Sequence, residues 1–275
     1  MEGMKLAWLS ALLSLTAGPA SARSAPATGS QQPGQPVLVE LFTSQGCSSC
    51  PPADRFVRGL PARGLGPDKV VALTFHVDVW DHLGWPDPFA SRPFTDRQVW
   101  YADSGQLRGA DGDRAISGIY TPQMIVAGQV HFPGGETDVA LRQIAAAAAR
   151  PSPLSVALAA RAAVEGGGVT VHARTPGAER LDRAGDWKLT VALVQKTAET
   201  RVLRGENGGE TLQEASVVRA LSPRLPLTLR ADQEISVTLH KPADVAWNNT
   251  ALVLFVQSDK TRQVTATAEI DVQPR

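Results

Sequence analysis

The stretch VLVELFTSQGCSSCPPAD, residues 37–54, decides the fold. Val37 to Phe42 is a short apolar run with the length and composition of a buried strand. The pair Cys47-Ser48-Ser49-Cys50 follows, and a helix is expected from Ala53 to Leu60. Strand, C-x-x-C, helix is the context that makes this motif a redox site. A helix N-terminus offers unpaired N–H groups and the positive end of its dipole, which favour a thiolate. A second thiol one turn later resolves the mixed disulfide. On this reading Cys47 is the nucleophile and Cys50 the resolving thiol.

These are the only cysteines in 275 residues. A C-x-x-C disulfide closes almost no loop, so its entropic stabilisation is small. Disulfide staples in exported proteins are usually scattered to close long loops. Chemistry therefore explains the pair better than stability does. Pro51 and Pro52 complicate the picture, because each removes an N–H and disfavours helix in the residue before it. The helix is then expected to restart near Pro51, with Cys50 nearest its cap. That arrangement weakens the case for a strongly acidic Cys47.

Outward from this segment the pattern stays α/β. Val70–Val77 reads as a second buried strand. Thr95-Asp96-Arg97-Gln98 has capping-box spacing and opens a helix to about Ala102. Met124–Ala127 and Gln129–Phe132 flank Gly128 as a hairpin, and a helix over Asp138–Ala149 follows. Parallel strands deliver ligand chemistry at their C-terminal ends. The strand ending near Val77 should therefore bring Asp78, Trp80 and Asp81 to the dithiol edge. The loop Trp80–Pro88, with Trp85, is expected to cover the dithiol or touch substrate.

The break Arg150-Pro151-Ser152-Pro153 ends this pattern. Short β-rich runs follow: 154–158, 169–173, 187–194, 200–203, 216–218, 225–229, 235–239, 251–256 and 264–272. They suggest an all-β, sandwich-like domain over 154–275, without cysteine. Residues 37–150 are expected to hold the whole dithiol site as an independent domain. The competing arrangement, a single unit in which Gly205-Glu206-Asn207 reach the dithiol, stays open.

The N-terminus has the parts of a signal peptide over 1–22: Lys5, an uncharged apolar run from Leu6 to Ala17, and Ala20-Ser21-Ala22. The apolar run is too short to span a bilayer, so no stable membrane insertion is expected. Residues 23–36, rich in Ser, Ala, Pro, Gly and Gln, read as a flexible linker. Lys+Arg and Asp+Glu both number 27. This balance gives no basic excess for nucleic acid or an anionic membrane.

By the order of its motifs, 37–150 resembles thioredoxin. That resemblance implies a cis-proline at Pro122 beside the dithiol, leaving Thr121 backbone groups free to pair with an extended substrate. It also implies a buried acid on the strand before the cysteines. Glu40 fills that proton-handling role only with a one-residue slip, which reverses the strand face. The stretches 40–54, 75–81, 83–85, 120–124 and 205–207 are together similar to a family of secreted bacterial proteins of unknown function with a thioredoxin-like fold. The resemblance implies fold and export, and assigns no activity.

The functional expectation is an exported thiol–disulfide oxidoreductase, periplasmic or secreted, with no cofactor. Its partners would be a protein or small-molecule disulfide or thiol and an unidentified redox partner. Cys47, Cys50 and Pro122 form the expected catalytic set. Thr121, Trp80 and Trp85 are the substrate contacts, and Glu40 and Asp78 the proton-handling groups. A second class is Cu(I) binding by Cys47 and Cys50 with His76 or Met124. A third is a non-catalytic binding protein in which the disulfide is a small staple.

Overall fold

The computed structural model describes residues 35–112, 118–150, 158–165, 167–230 and 233–272. The expected signal peptide, most of the linker, and the proline break at 151–153 with the run 154–157 lie outside them. The first half supplies β1 (Val37–Thr43), α1 (Pro51–Arg58), β2 (Val70–His76), α2 (Arg92–Ala102), β3 (Arg108–Gly109), β4 (Gln123–Val126), β5 (Val130–Pro133) and α3 (Thr137–Ala148). The second half supplies β6 (Ala159–Glu165), β7 (Gly168–Arg174), β8 (Trp187–Arg201), β9 (Thr211–Leu221), β10 (Leu225–Pro226), β11 (Glu234–His240), β12 (Thr250–Ser258) and β13 (Val264–Asp271). The run 200–203 is not a strand of its own, because β8 continues through it to Arg201. β6 was not foreseen.

β1 and β2 are buried at every position, as expected of central strands covered on both faces. They pair in parallel, and β4 joins β1 antiparallel. Side chains alternate across this sheet. Val37, Val39 and Leu41 pack on one face with Ala53, Phe56 and Val57 of α1 and Ala140 and Ile144 of α3. Leu38 and Phe42 pack on the other, with Phe94 and Tyr101 of α2. Phe42 and Phe75 stack there at 5.3 Å between centroids.

The sheet does not stop where the sequence breaks. Its order is β13-β12-β8-β9-β2-β1-β4-β5-β3, so β9 of the second half lies directly beside β2. The bridge is narrow, Thr74 to Val217, and the Thr74 hydroxyl donates to the Ala215 carbonyl at 2.8 Å. A second seam joins the hairpin of β4 and β5 to the turn before β13. Val264 N donates to the Ala127 carbonyl at 3.1 Å, and Gln129 Nε2 to the Thr261 carbonyl at 2.7 Å. Gly128 is needed at this seam. With φ +68°, any Cβ would stand 2.0 Å from the Arg262 carbonyl oxygen.

The second half also closes the first half's core. Val194, Val218, Val253 and Phe255 pack in the cluster that contains Phe42 and Phe75. The three-stranded sheet β11-β7-β6 covers the opposite face of β8 and β12, with Val169, Val171 and Leu239 against Leu189, Val191 and Leu254. The two halves are therefore one sheet system, and the expected division near 150–153 is not a division of the core. The cause is lateral: without β9, β2 would be an open sheet edge.

A chain ending at Arg150 should accordingly fail to fold cooperatively. Its urea transition, followed by tryptophan fluorescence beside the full chain, should be broad or absent. A sharp transition with native-like near-UV dichroism would mean that the first half folds alone.

Candidate functional site

β1 ends at Thr43, and the loop Ser44–Gly46 turns the chain into the dithiol. Cys47 and Cys50 are joined as a disulfide, with Cα atoms 5.5 Å apart. Cys47 is 4% exposed and Cys50 0%, while Ser48 and Ser49 between them are open to solvent. Helix α1 starts at Pro51 with Cys50 as its N-cap. Pro51 and Pro52 lack N–H groups, and the next two amides, Ala53 and Asp54, both turn back to the Cys50 carbonyl at 2.9 and 3.3 Å. Cys50 rather than Cys47 thus sits at the helix start, with these four helix positions offering no free amide to either sulfur.

Two hydroxyls approach Cys47 instead. Thr121 Oγ1 lies 3.3 Å from Cys47 Sγ and accepts the Trp80 indole N–H at 2.7 Å. Because Trp80 occupies the oxygen as a donor, the Thr121 hydrogen is free to point at sulfur. Ser49 Oγ is also 3.3 Å from Cys47 Sγ. The Thr121–Pro122 peptide is cis, and the Thr121 carbonyl lies 3.9 Å from the same sulfur. Cys47, Cys50, Thr121, Pro122 and Trp80 therefore form one constellation.

Trp85 serves differently from expectation. Its indole N–H donates to Gln45 Oε1 at 3.0 Å, so it buttresses the loop before the dithiol. Asp78 is engaged with Thr95: it accepts the Thr95 hydroxyl at 2.6 Å, and its own N–H donates to Thr95 Oγ1 at 3.2 Å. Glu40 points away from the dithiol-bearing helix. It pairs with Arg97 Nε at 2.6 Å and accepts the Tyr101 hydroxyl, on the face that holds Leu38 and Phe42. Arg97 also reaches Gln257 at 3.0 Å, and burial and the Glu40 charge push the Tyr101 phenol up. The odd spacing from Cys47 puts Glu40 on the wrong side for proton exchange with the cysteines. It is instead half of a buried ion pair, whose breakage by removing one partner costs about 3–5 kcal/mol. His76 is held at Nδ1 by Asp87 at 2.7 Å. Among the described residues no three His, Cys, Asp or Glu side chains are grouped to hold a metal ion. Cys47, Cys50 and His76 are therefore not assembled as a ligand set, and Met124 lies in the core beneath α1 and α3.

Behind the dithiol loop sits a buried acid cluster that was not foreseen. Asp54, one turn after Cys50 on α1, accepts the Thr43 hydroxyl at 3.3 Å through Oδ2. Thr43 is the register partner of His76. Glu214 of β9 accepts Gln45 Nε2 at 3.0 Å, and Asp87 accepts Gln45 N at 2.7 Å. Asp54 Oδ1 and His76 Nε2 have no hydrogen-bond partner among the described residues. Burial pushes the Asp54 carboxyl up to about 7, against the pull of His76. Burial opposes charge on His76, but Asp87, Glu214 and Asp54 outweigh it and lift the imidazole to about 9. Burial also raises Glu214. Asp87 stays below the usual carboxyl range because His76 and two amide donors offset its burial.

The last part of the site comes from the turn between β8 and β9. Glu206 Oε2 accepts the Ser48 N–H at 2.9 Å. Asn207 Nδ2 donates to the carbonyls of Gln45 at 2.9 Å and Cys47 at 3.0 Å. Gly205, at φ +80°, leaves room for Trp85, whose Cβ would lie 3.0 Å from any Cβ placed there. Of the two arrangements left open by the sequence, the one in which Gly205-Glu206-Asn207 reach the dithiol is observed.

The sequence profile of a family described as protein of unknown function, DUF1223, matches residues 38–257. The chain belongs to that family. The matched span covers both halves, in keeping with the shared sheet and the contact from Asn207 to Cys47. No curated protein matches. A crystal structure of a protein from Agrobacterium tumefaciens is similar in fold, with TM-score 0.62 and 22% identity, over 89% of this chain and 98% of that one. HBP35 of Porphyromonas gingivalis is similar with TM-score 0.56 and 13% identity, over 88% of this chain and 77% of that one. These likenesses concern the fold alone.

The sequence held a signal for Asp54, which lies four residues after Cys50 and hence on the same side of a helix. Asp87 and Glu214 carried none, because their partners are set by tertiary contacts.

The cluster gives a pH prediction. A carboxyl raised from 3.8 to about 7 on folding stabilises the fold below pH 4, and that contribution is lost as pH rises to 7. His76, raised from 6.5 to about 9, contributes stability below pH 6.5 that is lost as pH rises through 9. In urea unfolding, Asp54→Asn should flatten the fall between pH 4 and 7 and leave a fall above it. An unchanged slope over pH 4–7 would show that Asp54 ionises normally.

Proposed function

We propose that this protein is an exported thiol–disulfide exchange protein with a thioredoxin-like first half, working through Cys47 and Cys50 outside the cytoplasm. The observation that carries the reading is the Thr121 hydroxyl aimed at Cys47 Sγ with its oxygen held by Trp80. A hydrogen bond to a charged acceptor is worth about 1.5–3 kcal/mol, more than one to a neutral acceptor. The contact therefore favours a thiolate on Cys47 once the disulfide opens. The strand–dithiol–helix order and the signal-peptide-like N-terminus support the same reading.

In exchange, a substrate thiolate attacks Cys47 Sγ. The bond to Cys50 breaks, and Cys50 leaves as a thiolate that takes up a proton. A second substrate thiolate then attacks the substrate sulfur of the mixed disulfide and releases Cys47. The reverse sequence reduces a substrate disulfide and re-forms the Cys47–Cys50 bond. Thr121, with Pro122 next in the chain, stands beside Cys47, and Trp80 fixes the hydroxyl. The exposed Ser48 and Ser49 leave the approach open from their side.

The low exposure of Cys47, 4%, favours a competing reading as an inert structural staple. Alkylation decides between them. After mild reduction near neutral pH, Cys47 should be labelled first by iodoacetamide, with Cys50 protected. Thr121→Val should slow Cys47 labelling about tenfold, the loss expected for one charge-assisted hydrogen bond. A disulfide that resists dithiothreitol in the folded protein, or faster labelling of Cys50, would overturn the assignment.

A further inference from the structure

We infer that the Cys47–Cys50 couple is poised to donate electrons, reducing substrate disulfides, and that Glu206 sets this direction from the second half of the chain. This inference rests on the exchange reading above and goes beyond it by assigning the direction of electron flow.

A dithiol becomes a strong oxidant when its reduced form is stabilised, chiefly by backbone N–H groups and a helix dipole around the attacking thiolate. Around Cys47 the amides of Gly46, Cys47, Ser48, Cys50, Ala53 and Asp54 are used elsewhere. Pro51 and Pro52 have none. Ala53 and Asp54 bond to the Cys50 carbonyl. Cys47 N bonds to the Ser44 carbonyl at 3.2 Å, Cys50 N to the Cys47 carbonyl at 3.1 Å, and Gly46 N to Ser44 Oγ at 3.0 Å. Ser48 N, next to the attacking cysteine, is given to Glu206 at 2.9 Å. A carboxylate therefore sits where a thiolate would otherwise draw a donor, and its charge opposes a second anion nearby. Thr121 and Ser49 supply hydroxyls to Cys47, enough to keep it the attacking sulfur. They do not supply the amide cluster of an oxidant.

Glu206 is held there deliberately by the fold. Its neighbour Asn207 is buried and bonded to two carbonyls of the dithiol loop. Gly209 N bonds to the Val202 carbonyl at 2.8 Å, closing the turn. The strand that follows is fixed beside β2 through Val217, and its Glu214 is bonded to Gln45. The carboxylate is thus positioned by tertiary structure on an otherwise exposed turn.

Cys47 thiolate attacks one sulfur of a substrate disulfide, and the other leaves as a thiol after taking a proton. Cys50, having lost its proton, attacks Cys47 Sγ and expels the second substrate thiol. The protein ends as the disulfide, the substrate as two thiols. A dithiol donor must then reduce the protein again, so a thiol-based electron supply is the class of reaction that precedes it.

The test equilibrates the full-length protein, Glu206→Gln and Glu206→Ala with defined mixtures of reduced and oxidised glutathione. In parallel, the Cys47 thiol is titrated through thiolate absorbance. The wild type should stay disulfide-bonded in mixtures that reduce a strong oxidant, and Cys47 should titrate in the range of a free thiol. With the mixtures held at about pH 10, where a thiol of ordinary acidity is ionised, Glu206→Gln should favour the reduced form by about two- to fivefold, the size of one exposed charge acting on another in water, with Glu206→Ala at least as large. A Cys47 titrating far below the free-thiol range, or variants indistinguishable from wild type while exchange proceeds, would overturn this inference alone. No exchange with glutathione in any of the three would overturn the exchange reading and this inference together.

Discussion

The pairing of β9 with β2 is the constraint on which the rest depends. It is a short contact, one register pair at Thr74 and Val217 with a hydroxyl bond beside it. Yet it makes a single sheet from two halves that differ in composition. It gives β2 a neighbour on its open side and brings Val218 and Phe255 into the cluster that holds Phe75. It also carries Glu214 into the acid cluster and sets the β8–β9 turn over the dithiol loop. The same lateral contact that completes the core completes the site.

The candidate site is assembled across long sequence separations. The cysteines, Thr121 and Trp80 come from the first half, while Glu206, Asn207 and Glu214 come from the second. Two carbonyls of the dithiol loop accept from one side chain, Asn207, which fixes the loop without touching sulfur. Below it, three carboxylates and one imidazole share a buried space. They cannot all be charged at low cost, because burial penalises unpaired charge. The compromise is a His76–Asp87 ion pair with Asp54 and Glu214 raised.

Much of this was legible in the sequence, and the failures have physical reasons. Runs of β-branched and apolar residues located β1 and β2, and the Gly128 hairpin and the start of α1 at Pro51 followed from local chemistry. Local patterns carry such features because they depend on neighbours within a few residues. The thioredoxin-like spacing points Glu40 at a proton-handling role, but strand alternation turns it to the Arg97 face. The two-domain division followed from a genuine proline break, yet a break in local pattern says nothing about which strands later lie side by side. Asp87 and Glu214 were invisible for the same reason. Trp85 was read as a substrate contact, and its indole N–H is instead committed to Gln45.

The central claim is that the second half clamps the dithiol loop through Asn207 and Glu206. Hydrogen exchange of the Ser48 amide, resolved by NMR in the full-length oxidised protein, tests it most directly. Ser48 lies in an exposed turn, so its amide has no protection unless Glu206 accepts it. Exchange should be slow in the wild type, and fast in Asn207→Ala with the protein still folded. Fast exchange at Ser48 in the wild type would contradict it.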